Sequence, residues 1–155
     1  MIGLMLAACL AAPVPGVSTD QAASIAGRWE VTSATSTRRN TDGTVEVLAT
    51  GTFTLELAVT DEVVTGTWSG PDDAPPDSRM RAALTGTWRA GKLDLASDWF
   101  DTTVTSAGEP RTVKVRWVIH GAITNGQFGG TRSLEVQGRA REPLLIAWTA
   151  RRPQR

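Results

Sequence analysis

A single histidine and no tyrosine stand among the 155 residues, which narrows the acid–base chemistry open to this chain. His120 would need a serine and a carboxylate beside it to activate a nucleophile, and no Gly-x-Ser-x-Gly elbow occurs. It falls at the end of an alternating run, just before Gly121, where a surface or turn histidine is expected. Asp98-Trp99-Phe100-Asp101 sets two carboxylates around two aromatics. It reads first as a solvated rim, then as a ligand-contacting rim, and last as an acid–base pair. Gly86-Thr87-Trp88-Arg89-Ala90-Gly91-Lys92 matches the first seven positions of a phosphate-binding loop. Leu93 then stands where a Ser or Thr would hold Mg²⁺, and a strand–turn–strand pattern offers no helix N-terminus to the phosphate. Asp72, Asp73 and Asp77 lack the spaced Asp/Asn-Gly pattern of a calcium loop. One His and one Cys make no usual zinc set without carboxylates. The expectation is therefore no catalytic residue, no metal site and no cofactor.

Six tryptophans are the remaining signal: Trp29, Trp68, Trp88, Trp99, Trp117 and Trp148. Each lies on a predicted strand. They either fill the interior or, for Trp68, Trp88, Trp99 and Trp117, line a cavity for an apolar or aromatic ligand. Trp88 and Trp99 fall on strands expected to pair, so they are placed as cross-strand neighbours.

The elements that must carry these residues are strands. Val64-Thr65-Gly66-Thr67-Trp68 is nearly copied by Leu84-Thr85-Gly86-Thr87-Trp88, and Gly27-Arg28-Trp29 is a shorter echo. Gly27 to Ala34 is a first strand, followed by a polar segment from Thr35 to Gly43. Val45, Val47, Ala49, Phe53, Leu55, Leu57 and Val59 then occupy odd positions, with polar residues between most of them. This period of two predicts one buried and one wet face, with a bulge or bend at Gly51. Turns are signalled at Asp61-Glu62, Ala90-Gly91 and Asn125-Gly126. Gly70 to Ser78 and Thr102 to Pro110 read as loops. Val113, Val115, Trp117 and Ile119 alternate with Lys114, Arg116 and His120, and Gln127 to Arg139 gives one or two more strands. Glu142-Pro143 interrupts the ladder before a last strand from Leu144 to Arg151. Eight or nine strands with short connections predict an all-β fold, an antiparallel up-and-down barrel of about eight strands. Closure leaves no exposed edge, and a barrel of this size is filled by side chains or holds one small ligand.

Hydrophobic content of 41% and charged content of 21% place the chain among globular proteins. Net charge is zero but unevenly spread: residues 1–110 carry 7 basic and 14 acidic side chains, residues 111–155 carry 9 and 2. Antiparallel pairing would neutralise the two halves. A basic face of Arg111, Lys114, Arg116 and Arg132 is the sharper alternative. Ile2 to Ala12 is an apolar run of signal-peptide core length, too short for a bilayer-spanning helix. Within it, Leu6-Ala7-Ala8-Cys9 resembles a bacterial lipobox, which implies lipidation at Cys9. The domain plan is a leader and start of a tether over 1–17, a flexible linker over 18–26, and one barrel over 27–152.

Gly27-Arg28-Trp29 on the first strand, with Arg151 and Arg152 after the last, resembles the calycin arrangement of lipocalins. The resemblance implies that Trp29 closes one barrel end and a late arginine, Arg151, packs across it. The Gly-Thr-Trp repeats are similar to avidin-type strands, although Glu30-Val31-Thr32-Ser33 lacks that family's early ligand contacts. The nearest overall likeness is to small exported bacterial barrels that end in a strand like Trp148-Thr149-Ala150-Arg151. Two expectations follow. The first is an exported barrel, anchored by lipid in the outer membrane facing the periplasm or else secreted, that binds a small apolar ligand in its mouth without catalysis. The second is an envelope interaction or structural module with a filled barrel and a protein partner. Neither involves nucleic acid. They part on whether the interior is hollow.

Overall fold

Alternating residues become strands wherever one face can be covered. The structure, a computed structural model, describes residues 25–75, 80–106, 108–139 and 142–154. Nine strands run along them: β1 (Gly27–Arg39), β2 (Val45–Thr60), β3 (Val63–Gly70), β4 (Met80–Arg89), β5 (Lys92–Ala96), β6 (Phe100–Ser106), β7 (Glu109–Thr124), β8 (Gln127–Val136) and β9 (Ile146–Arg151). They hydrogen-bond in the order β5-β4-β3-β2-β1-β9-β8-β7-β6, and a further β5–β7 pairing closes the ring. Every pair is antiparallel. The molecule is an up-and-down barrel of eight strands with one extra strand, β6, an architecture consistent with a calycin-like fold.

β5 and β6 follow one another along the same edge of β7. Ala96 faces Val118 and Phe100 faces Val115, so β5–β6 advances four residues while β7 advances three. The additional residue is absorbed at Ser97–Trp99 as a bulge, anchored by a bond from the Ser97 amide to the Trp117 carbonyl at 2.9 Å. Thr102 to Pro110, expected as a polar loop, is instead most of the β6–β7 hairpin. Its threonines and Val104 are β-branched and suit a strand.

The two ends of the barrel differ. At one end the chain turns tightly at Asp61, Ala90-Gly91 and Asn125-Gly126, all with positive φ. Two consecutive residues at positive φ match the twist of a two-residue hairpin. At the other end lie the longer connections, and here the β1–β2 and β6–β7 hairpins run on past the barrel wall. β2 pairs with β3 only from Thr54 to Thr60, and β1 with β9 only from Glu30 to Ser33. Val45 and Val47, read as buried with the rest of their face, are therefore exposed, and the covered part of that face begins at Phe53. No bulge forms at Gly51. The register shifts lie around Ser36, with Thr35 as the extra residue on β1 and Leu48 as the extra residue on β2. Gly51 stays in the ladder opposite Ser33, where a Cβ would press on Thr35 at 2.7 Å.

The Thr-Gly-Thr-Trp repeat has a packing reason. Gly86 faces Leu95 on β5, and a Cβ there would lie 1.8 Å from the Asp94 carbonyl oxygen. The glycine lets two coiled strands approach, while Trp68 and Trp88, two residues after Gly66 and Gly86, fill the interior. One core cluster joins Ile25, Trp29, Val31, Leu55, Val64, Trp68, Leu84, Trp88, Leu93, Ile119, Phe128 and Trp148 among others. Ile25, expected in the linker, is fully buried, and its carbonyl accepts the Trp29 indole N–H at 2.7 Å. The leader with Cys9 lies outside the described residues.

Candidate functional site

The interior fills from the closed end upward. Phe128 packs on Trp29 at 4.8 Å and edge-on to Trp148 at 5.1 Å; Trp148 meets Trp68 at 6.1 Å, and Trp68 meets Phe53 at 5.5 Å. Such pairs contribute ~1 kcal/mol each beyond their buried area. At the closed end the Arg152 guanidinium lies 3.9 Å over the Trp29 ring. The cation across that indole is thus Arg152; Arg151, to which the role was assigned from sequence, is ion-paired with Glu30.

Among the described residues, an apolar hollow opens towards the other end, through the wall. β4 pairs with β5 only from Thr85 onward, so among the described residues Met80–Leu84 lacks a strand on that side. The bulge at Ser97–Trp99 carries β6 away from it. The seam between them is a groove of about 520 Å³ whose inner lining is Met80, Ala82, Phe100, Val115, Trp117 and Leu134. Polar groups at its edges include Arg81, Ser97 and Asp98. Ser97 is held in place, its hydroxyl accepting the Trp117 amide at 3.0 Å and donating to the Asp98 carbonyl at 2.8 Å.

The four tryptophans proposed as ligand contacts do not share one cavity. Trp68 and Trp88 are each 1% exposed and sit in the core. Trp117 forms part of the groove wall. Trp99 lies in the bulge, turned to the outer face, where the Arg116 guanidinium stacks on it at 4.8 Å. It borders a second hollow with Glu135, Gln137 and Pro143. It is not a neighbour of Trp88, whose partner across the ladder is Leu93.

The basic face dissolves in the same way. Lys114 pairs with Asp101 at 3.1 Å and Arg116 with Glu135 at 2.7 Å, both across adjacent strands. Arg132 points the other way, into the barrel, and is 6% exposed. Its Nε donates to Ser33 Oγ at 3.0 Å and a terminal nitrogen to the Ala34 carbonyl at 2.6 Å. Phe53, Trp68 and Trp117 surround it at 5.4, 5.7 and 5.2 Å. Burial pulls its pKa below the ordinary arginine value. The parity of β8 carried the signal, since Phe128, Gly130 and Arg132 share a face, but a cation on that face invited assignment to the surface.

His120 is exposed on the outer face, its Nδ1 2.6 Å from Asp94 Oδ1 on β5. Among the described residues no cluster of three or more metal-type ligands forms. The Gly86–Lys92 segment is two strands and a tight turn, with Leu93 fully buried. Three comparisons, with protein-family models, with curated proteins and with solved structures, find no match to this chain.

Proposed function

We propose that the barrel is a non-catalytic binding module that takes a small apolar ligand in the split mouth between β4 and β6. The observation that carries this reading is the groove itself. At about 520 Å³ it is of ligand-site size, and its lining is mostly apolar with a few polar groups at the edge. We place the module in a bacterial envelope, exported and anchored through Cys9. This rests on the likeness of Leu6-Ala7-Ala8-Cys9 to a lipobox and of the strand repeats to lipocalin- and avidin-type barrels. The mass of the protein isolated from its host membranes would test the anchor.

The ligand is tested by titrating the barrel with N-phenyl-1-naphthylamine, an uncharged apolar fluorophore. Micromolar binding, about −8 kcal/mol, is expected, and a groove-filling change at the rim, Thr102→Trp, should abolish it while leaving the melting temperature unchanged. Absence of binding in the unmodified protein would overturn the reading. The runner-up is a protein partner. It is favoured by the filled core together with Val47, Leu48 and Leu145, each more than half exposed near the open end. It would gain if the groove stayed empty at every probe concentration.

A further inference from the structure

Beneath the mouth of the barrel, behind the lining of the groove, lies a buried cation. Arg132 lies one inward-facing position below Leu134, which lines the groove, and its guanidinium stacks on Trp117, which forms the groove wall. On its other side, Ser33 and Ala34 accept its hydrogen bonds and also border a hollow between the β1–β2 hairpin and β9. Among the described residues no carboxylate reaches it, although every other interstrand arginine ion pair noted above, Arg116 and Arg151, has a glutamate. A buried cation without a counter-charge is held against a desolvation cost that neutral acceptors and aromatic faces offset only in part.

The surroundings are also short of acceptors. The indole N–H groups of Trp68, Trp88 and Trp148 are buried with no hydrogen-bond partner among the described residues. The Trp68 ring is one of those packed on Arg132, and Trp148 packs on Trp68. Of these, Trp68 lies on Arg132 and Trp148 beside it, below an apolar groove that opens to solvent, whereas Trp88 sits near the sealed end. A purely apolar ligand would use the groove and leave the buried cation unanswered.

We infer that the ligand is an anionic amphiphile, a small carboxylic acid with an aliphatic tail, whose carboxylate meets Arg132 while the tail lies along Met80, Ala82, Phe100 and Leu134. The inference rests on the small-ligand reading above and specifies its chemistry. Trp117 stands between the groove and the guanidinium, so entry of the head group requires its indole to shift.

The test compares decanoate with decan-1-ol, which share a tail and differ in charge, by displacement of N-phenyl-1-naphthylamine near pH 8. Decanoate is expected to bind about tenfold or more tightly than the alcohol, the range of a hydrogen bond to a charged group. Arg132→Met should bring the two to equal affinity. Arg132→Lys should keep part of the preference. Should Arg132→Met fail to fold, the wild-type ratio still decides the matter. So does the Arg132 Nε–H resonance, which should move with decanoate and stay with the alcohol. Equal affinities in the wild type, or a preference that survives in Arg132→Met, would overturn the carboxylate while leaving an apolar ligand standing. Failure of both probes to bind would remove the small-ligand reading and the carboxylate with it.

Discussion

Gly86 shows how much of this barrel is decided by single atoms. A Cβ at this position would sit 1.8 Å from the Asp94 carbonyl oxygen, and one at Gly130 would sit 1.9 Å from that of His120. Both obstacles are backbone in a closed ladder, which cannot yield as a flexible side chain can. Gly86→Ala and Gly130→Ala should each destabilise by about 3 kcal/mol or more, at or beyond the upper end for overpacking. Urea denaturation would measure it, and a loss below about 1 kcal/mol would mean that the strands are less tightly coiled than described. The two late arginines separate in the same assay. Arg152→Ala removes a cation from the Trp29 face and should cost about 1 kcal/mol. Arg151→Ala breaks an exposed pair with Glu30 and should cost about 0.5 kcal/mol or less. The Gly-x-Trp and late-Arg signature was legible in the sequence, but which arginine stacks was not. Two adjacent strand-end residues point to opposite faces, and a spacing argument blind to the barrel's shear cannot choose between them.

At the scale of elements, the tight turns were readable because their chemistry is local. Asn and Gly accept φ above zero at little cost, and Asn125-Gly126 and Ala90-Gly91 both adopt it. What escaped were features set by distant partners. Period two says that Val45 and Leu57 share a face; it does not say where the neighbouring strand stops covering it. A one-residue bulge inverts the faces beyond it, so Trp99 left the interior with no warning in its own segment. β2 is consequently one strand with two stabilities. Amides from Val45 to Thr50 should exchange much faster than those from Phe53 to Val59, a contrast that hydrogen-exchange mass spectrometry resolves. Uniform protection along β2 would show that something covers the hairpin. The tip of that hairpin also carries a titration. The Thr44 hydroxyl, and then its amide, donate to Asp42 and hold its carboxyl below the usual value. A depressed folded pKa means the turn gains from this contact above the ordinary Asp range and loses it as pH falls through the folded value. Thr44→Val should move the Asp42 titration, followed by NMR, upward towards the ordinary value; an unchanged midpoint would remove the hydroxyl as the main cause.

The whole molecule is a barrel with one sealed end and one split end, and the asymmetry decides where a ligand can act. Trp29, Phe128, Trp148 and Trp68 pack through the interior, so binding cannot reach below Arg132 without dismantling the core. Binding at the seam between β4 and β6 leaves that stack in place, because among the described residues Met80–Leu84 has no strand on that side to displace. A ligand seated there bridges β4 and β6, which among the described residues do not pair with each other. At a hundred times its Kd it should stabilise the fold by about 2.7 kcal/mol, the mass-action value for a single site, and raise the melting temperature by several degrees. The added protection from exchange should fall on Met80–Leu84 and on the β6–β7 hairpin, and should be absent at Asp61 and Asn125 at the sealed end. A rise in melting temperature with protection spread evenly over both ends would mean that the ligand holds the barrel elsewhere. A rise confined to the β1–β2 hairpin would move the site to the hollow beside Val45, Val47 and Leu145, on the far side of Arg132.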